Sequence, residues 1–168
     1  MRLYLVRHAT AVDAEKFDGP DEYRPLTARG RAELRTVLPQ VAAEEASPHA
    51  VWTSPLVRAV QTAEAVLALW TPGAELRVTS ALVPGARPEE ILEELQHEVA
   101  SPVALVGHEP HLGYLLARLI GSDRALSMPK SGVCRVRYRP DEKPPGQFRV
   151  LYEVGRAPVT ELARFDED

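Results

Sequence analysis

Three short apolar runs, each followed by polar residues, constrain most strongly how this chain can fold. They cover residues 3–6, 50–53 and 103–106. The third run contains no polar residue, which is typical of a strand buried on both faces of a parallel sheet. Because helix-like stretches alternate with such runs, the pattern indicates an α/β fold. In an open parallel sheet, ligands bind at the carboxyl ends of the strands.

The last third of the chain has a different pattern. Residues 133–139 and 148–154 alternate apolar and polar side chains, and residues 140–146 between them are rich in turn formers. This predicts an antiparallel hairpin at one edge of the sheet. We therefore expect one domain over residues 1–168, a three-layer α/β/α fold with a mostly parallel central sheet and helices on both faces.

Several residues predict where helices begin and end. Thr27 is a candidate N-cap. Ser54 followed by Pro55 predicts an N-cap with proline at the first helical position. Gly121 predicts a helix stop. Residues 76–78 form a weak strand candidate.

Composition excludes several classes of protein. The net charge is −4 and the basic residues are scattered, so we expect no nucleic-acid partner. No apolar run approaches the roughly 18 residues that a membrane span needs. The first apolar run is interrupted at Arg7 and His8, unlike a secretory signal, and we expect a cytoplasmic protein. Cys134 is the only cysteine, which excludes an internal disulfide and a cysteine-rich metal site.

The residues that follow the three apolar runs have side chains that can bind an anion. Arg7 and His8 end the first run, Arg58 comes shortly after the second, and His108 follows the third. Two adjacent cationic groups are costly unless an anion lies beside them. A neutral imidazole can attack phosphorus if its other nitrogen donates to a fixed carbonyl. Arg58 lies in a first helical turn, where amides and a guanidinium can bind phosphate oxygens together.

Each of these residues also has a purely structural interpretation. His108 could be a core histidine, and Arg58 could be a solvated helix residue. A metal site formed by His108, Glu109 and His111 is a further alternative, but its spacing matches no common zinc motif, so we expect no metal. Four other polar residues are expected outside the site: Gln61 and Thr62 in helix surface and packing, and His49 and His97 on the surface.

Four segments together resemble a known family. Residues 5–9 (LVRHA), 54–63 (SPLVRAVQTA) and 106–110 (VGHEP) are similar to the signature segments of the histidine phosphatase superfamily, and residues 25–30 (PLTARG) resemble its first helix start. They occur in the family's order over the first two-thirds of the chain. The compact length and the Gly-His-Glu-Pro form are most similar to the SixA-type phosphohistidine phosphatases. The resemblance implies a phosphoglycerate mutase-like fold.

The resemblance also implies roles for individual residues. His8 would be the nucleophile and would form a phosphohistidine intermediate. Arg7 and Arg58 would bind the phosphoryl oxygens, and His108 would complete the phosphate pocket. No metal or organic cofactor is expected. The partner would be a phosphorylated protein or a small phosphorylated substrate, with no membrane partner.

The sequence departs from the family pattern at two places. Ala9 stands where the family usually has glycine, and the added Cβ could restrict the backbone. Mutases and many phosphomonoesterases of the family have a glutamate acid after the third strand, but residues 82–87 contain no carboxylate. A missing acid suits a labile P–N bond better than a sugar phosphate. Asp13, Glu15 and Glu109 remain as candidate proton donors.

We therefore predict a phosphatase that acts on phosphohistidine in a protein. The alternatives are a small-molecule phosphomonoesterase for a sugar or nucleotide-related phosphate, a regulatory module that binds phosphate without turnover, and a metal-dependent hydrolase. Residues 164–168 form a charged tail that we expect to be a solvated end.

Overall fold

A computed structural model describes residues 1–98 and 100–162. Its strands are β1 (Arg2–Arg7), β2 (Ala50–Thr53), β3 (Glu75–Val78), β4 (Val103–Gly107), β5 (Val133–Tyr138) and β6 (Gly146–Tyr152). Its α-helices are α1 (Ala28–Glu44), α2 (Val57–Leu69), α3 (Pro88–Leu95) and α4 (His111–Ile120). The charged tail, residues 164–168, lies outside the described residues. In the described part of the chain, no helix is long and apolar enough to cross a membrane.

The six strands form one sheet in the order β3-β2-β4-β1-β5-β6. Strands β3, β2, β4 and β1 are mutually parallel, whereas β5 and β6 run antiparallel to their neighbours. The predicted parallel sheet with an antiparallel edge hairpin is therefore confirmed. The weak strand candidate at residues 76–78 is also confirmed as part of β3, the exposed edge strand.

Helices cover both faces of the sheet. Alternate residues of β1 point to opposite sides, as strand geometry requires. Tyr4 and Val6 pack in a core with α1 and α2, whereas Leu3 and Leu5 pack in a second core with α3 and α4. All four of these side chains are fully buried. This arrangement confirms the predicted three-layer α/β/α architecture.

The helix ends agree with the sequence except at one position. Thr27 caps α1, with its hydroxyl accepting from the Gly30 amide at 3.0 Å, and Gly121 ends α4 with a φ of 73°. The prediction for Ser54 is wrong, because Leu56 is the N-cap of α2 and the helix begins at Val57. The Ser54 hydroxyl accepts from the Leu56 amide at 3.3 Å and lies 2.8 Å from a ring nitrogen of His108.

Candidate active site

The carboxyl ends of three parallel strands bring the site together. His8 directly follows β1, Ser54 follows β2, and His108 follows β4. Backbone hydrogen bonds continue the sheet beyond the strands, from the His8 amide to the Gly107 carbonyl at 3.0 Å and from the Ser54 amide to the Val106 carbonyl at 3.1 Å. As a result, the rings of His8 and His108 lie 4.9 Å apart, centroid to centroid.

The His8 ring is held in one tautomer. Its Nδ1 lies 2.8 Å from the Ala9 carbonyl oxygen. Because a carbonyl can only accept, Nδ1 carries the proton and Nε2 has a free lone pair. Burial lowers the pKa of His8 to about 4, against the Ala9 hydrogen bond, and the charges of Arg58, Arg7 and Lys130 lower it further. The imidazole is therefore neutral at neutral pH, which is the form that can act as a nucleophile.

Ala9 packs inward, into the core. Its methyl group is fully buried in the core against α1 and α2. Its amide donates to the Thr62 hydroxyl at 3.2 Å, and that hydroxyl donates to the Arg58 carbonyl at 2.7 Å. Thr62 is thus fully buried and connects the loop after β1 to the helix that carries Arg58. The Cβ at position 9 fills core space that a glycine would leave empty.

Arg58 is a buried cation held by a loop. Its side chain is only 5% exposed, and its two terminal nitrogens donate to Asp21, one to the backbone carbonyl and one to Oδ2, each at 2.9 Å. Burial lowers the pKa of Arg58, and the Asp21 carboxylate opposes that shift. Asp21 begins a short 3₁₀ turn within the loop between β1 and α1. No sequence motif predicted the contact between Asp21 and Arg58.

Arg7 approaches the site from the end of β1. Its Nη1 donates to the Met128 carbonyl at 2.5 Å, and its Nε is buried without a partner in the described residues. Burial lowers the pKa of Arg7, and Glu109 opposes that shift. Arg7 therefore keeps donor capacity that its protein neighbours do not use.

The two ring nitrogens of His108 differ in their contacts with the protein. Its Nε2 lies 2.8 Å from Ser54 Oγ, whereas its Nδ1 is buried without a partner among the described residues. Burial lowers the pKa of His108 to about 3, helped by the nearby charges of His8 and Arg58. Among the described residues, His108 therefore does not have hydrogen-bond partners at both ring nitrogens, as a purely structural core histidine would.

Two of the three candidate proton donors, Glu109 and Asp13, are in opposite environments, and the third, Glu15, is exposed. The carboxyl of Glu109 is half-buried and accepts from the Met128 amide at 3.1 Å. Burial raises the pKa of Glu109, against the lowering effects of the Met128 amide and Arg7. Asp13 is exposed and pairs with Lys16 at 2.9 Å, which lowers its pKa. Of these two residues, only Glu109 is in an environment that favours the protonated form.

The remaining histidines lie outside this cluster. His49 and His97 are exposed, as predicted. His111 is buried at the start of α4, near Arg87 and Glu90. Over residues 1–98 and 100–162, no group of three or more His, Cys, Asp or Glu side chains is arranged to hold a metal ion.

A second set of residues supports the loop after His8, and the sequence did not reveal it. Glu33 on α1 accepts from the hydroxyls of Thr10 at 2.9 Å and Ser131 at 3.0 Å, which links the loops on either side of His8. Gly30 lets α1 approach closely, since a Cβ there would lie 2.1 Å from the Thr10 carbonyl oxygen. Sequence spacing carries no signal for these contacts of Glu33, because Thr10 and Ser131 are distant from it in the chain.

Lys130 is a further cation near the site. It is exposed in the loop before β5, and its charge contributes to the low pKa of His8. Strand β5 pairs antiparallel with β1, with Val133 opposite Val6, so the loop before β5 comes to the catalytic end of the sheet. Only this topology identifies Lys130 as a neighbour of the site.

Comparison with known proteins assigns the chain to a phosphatase family. Residues 3–83 match the model of the histidine phosphatase superfamily (branch 1). An uncharacterised protein of Picosynechococcus sp. (strain ATCC 27264 / PCC 7002 / PR-6) is 36% identical over 144 residues, which cover 82% of this chain and 85% of the relative. The chain belongs to the histidine phosphatase superfamily, as the sequence motifs predicted.

Within that superfamily, the chain is similar to SixA proteins. It is 28% identical over 152 residues to the phosphohistidine phosphatase SixA of Escherichia coli (strain K12), covering 88% of this chain and 91% of that protein. The structure of the protein histidine phosphatase SixA complexed with tungstate superimposes with a TM-score of 0.80 at 26% identity, covering 91% of this chain and 97% of the other. These similarities support a phosphatase, a hydrolase of phosphoric groups.

Proposed function

We propose that this protein dephosphorylates phosphohistidine on a partner protein and that His8 carries the phosphoryl group between the two steps. The observation that carries this proposal is the His8 ring, whose Nδ1 faces the Ala9 carbonyl at 2.8 Å and whose pKa is lowered to about 4. Both features leave Nε2 unprotonated next to buried cations. No other described histidine combines a fixed tautomer with such neighbours.

In the first step, the Nε2 lone pair of His8 attacks phosphorus. A P–N bond to His8 forms as the P–N bond to the substrate imidazole breaks, and the departing imidazole takes a proton. In the second step, water attacks phosphorus, the bond to His8 breaks, and phosphate leaves. The total is hydrolysis of one P–N bond by one water molecule.

Three residues would stabilise the phosphoryl group during both transfers. The Arg58 guanidinium is almost fully buried, so its charge acts in a low-dielectric environment. Arg7 and His108 each retain a buried nitrogen that has no partner among the described residues. These groups would interact with the phosphoryl oxygens, where negative charge develops.

Glu109 is the proton donor that the site supports best. Its carboxyl lies beside Arg7 and has a raised pKa through burial, whereas Asp13 is exposed and tied to Lys16. A phosphoramidate needs little help from an acid once its imidazole is protonated. This agrees with the lack of a carboxylate at residues 82–87.

Glu109 also favours a second candidate, a phosphomonoesterase for a small sugar or nucleotide-related phosphate. A protonated carboxyl close to the phosphate pocket could donate to a leaving alkoxide. The rates of the two candidate reactions differ in how strongly they depend on proton donation by Glu109.

A substrate comparison with the Glu109→Gln variant tests the proposal. We expect kcat/KM of the wild type to be higher on a phosphohistidine-containing protein than on any of a panel of sugar and nucleotide monophosphates. We expect Glu109→Gln to lower the rate on esters by roughly 10²-fold and the rate on phosphohistidine by less. Glu64→Gln, at an exposed position on α2, is the matched control. A higher kcat/KM on a phosphate ester would support the second candidate, and a single burst without turnover on every substrate would support a binding module.

A further inference from the structure

A pocket lined by arginines lies at the opposite end of the sheet from His8. Arg2, Arg135, Arg137 and Arg149 line a depression of about 270 Å³. Arg2 lies opposite Arg137 in the β1–β5 pair, and Tyr4 lies opposite Arg135. Arg2, Arg135 and Arg137 therefore project from the same face of the sheet as Tyr4, the face that α1 and α2 cover elsewhere.

This pocket is separate from the active site. Arg2 and Arg7 are the two ends of β1, and a strand of that length spans about 17 Å. No residue that lines the pocket contributes to the cluster around His8. The pocket lining also contains no histidine, cysteine or hydroxyl group, so it is suited to binding and not to chemistry.

The pocket has more cationic than anionic side chains. Arg135 pairs with Glu45 at 3.0 Å, and Arg137 pairs with Glu142 at 3.1 Å. Glu142 is shared, because Arg139 also contacts it at 2.7 Å. In the described part of the chain, no carboxylate forms an ion pair with Arg2 or Arg149. Local positive charge is thus in excess in a chain whose net charge is −4.

We propose that this pocket binds a small oligophosphate. Like charges gathered in one place are costly unless an anion neutralises them. Guanidinium groups bind phosphate oxygens in a two-pronged geometry, and several around one depression favour a ligand with several phosphates. The concave shape and small volume favour a small molecule over an extended nucleic acid or a membrane surface, which require a flat or continuous basic face.

Inorganic triphosphate is the probe for this proposal, followed by ¹H–¹⁵N correlation spectra at constant ionic strength. We expect saturable shifts of the backbone amides in β5 and β6, separate from those near His8. The double variant Arg2→Gln/Arg149→Gln removes the two arginines without an ion pair and should weaken the β5–β6 binding by roughly tenfold or more. Shifts near His8 report any binding at the active site and should persist in that variant.

The matched control is Arg31→Gln/Arg35→Gln, which removes the same charge from exposed positions on α1. This control should retain the β5–β6 shifts with an unchanged Kd. Three results would overturn the proposal: no saturable shift in β5 and β6 at millimolar triphosphate, unchanged binding in Arg2→Gln/Arg149→Gln, or an equal loss in the control pair.

Discussion

Two groups of arginines lie at opposite ends of the sheet, but only one of the two groups includes imidazoles. At the carboxyl end of the parallel strands, Arg7 and Arg58 accompany His8 and His108. At the other end, the arginine pocket contains guanidinium groups that pair in part with carboxylates. Clustered cations indicate affinity for an anion at either end. A neutral, orientated imidazole is the feature that adds a reaction.

Burial separates the two ends as well. The Arg58 side chain is 5% exposed, whereas that of Arg137 is 35% exposed. A buried charge interacts more strongly with a phosphoryl group than an exposed one, because water screens it less. In the proposed function, the carboxyl end of the strands would stabilise a transition state, whereas the proposed oligophosphate binding at the other end would depend on salt.

The largest effect is expected from His8→Ala, which removes the proposed nucleophile from the carboxyl end of the parallel strands. Turnover should fall by roughly four orders of magnitude or more, because the covalent step has no nucleophile. Acid-labile phosphate trapped on the wild-type protein after rapid quenching should be absent from the variant. The control is His49→Ala, at an exposed histidine. Wild-type turnover in His8→Ala would contradict the mechanism.

A smaller loss is expected from Arg58→Gln, which tests the value of the buried cation. We expect kcat/KM to drop by roughly 10²–10³-fold, the usual cost of losing one group that stabilises transition-state charge. Arg35→Gln on the exposed face of α1 provides the matched control. Circular dichroism would verify that both variants are folded. A loss of only a few-fold would mean that Arg58 stabilises the loop through Asp21 and not the phosphoryl group.

The pH dependence of stability measures how strongly burial keeps His8 neutral. Its folded-state pKa is about 4, below the usual 6.5 of the unfolded chain. The unfolded state therefore binds a proton first as pH falls, so stability is lost from about pH 6.5 down to pH 4. Between pH 7.5 and pH 5, the wild type should lose about 2 kcal/mol more free energy of unfolding than His8→Gln, measured by urea titration. Parallel curves for the two proteins would show that His8 titrates normally.

The smallest effect is expected from Asp21→Asn, which changes the partner of Arg58. Asp21 is 54% exposed, so its ion pair with Arg58 is weak and can be displaced. The Asp21 carboxylate competes with phosphate for the Arg58 guanidinium. Because Asp21→Asn removes that competitor, the variant should lower KM by roughly two- to fivefold with little change in kcat. Glu22→Gln, one residue further along the exposed turn, is the control. A higher KM would instead assign Asp21 to holding Arg58 in position for the substrate.

Local sequence patterns predicted most of the architecture because each depends on nearby residues. The apolar run at residues 103–106 became β4, with every residue buried, and the alternating segments near the end became the β5–β6 hairpin. The prediction failed at Ser54, whose position before a proline favoured a helix cap. The Ser54 hydroxyl contacts the ring of His108, a residue that is distant in the sequence.

The residues of the candidate site also divide into those that local sequence patterns predicted and those that they did not. His8, Arg7, Arg58 and His108 could be identified because each follows a strand or begins a helix, and the structure brings all four together. Asp21, Glu33 and Lys130 could not be identified, because they reach the site from loops and a helix face with no motif. Their positions depend on the packing of segments that are far apart in the chain.

The sequence by itself determined the family, the parallel sheet and the residues at the carboxyl ends of its strands, because periodicity and strand-end motifs are local properties. The tertiary structure alone decided that His8 has a depressed pKa and one tautomer, that Glu109 is half-buried while Asp13 is exposed, and that four arginines from three strands line one pocket. Those properties depend on desolvation and on distances between charges, and both are set only when remote segments pack together.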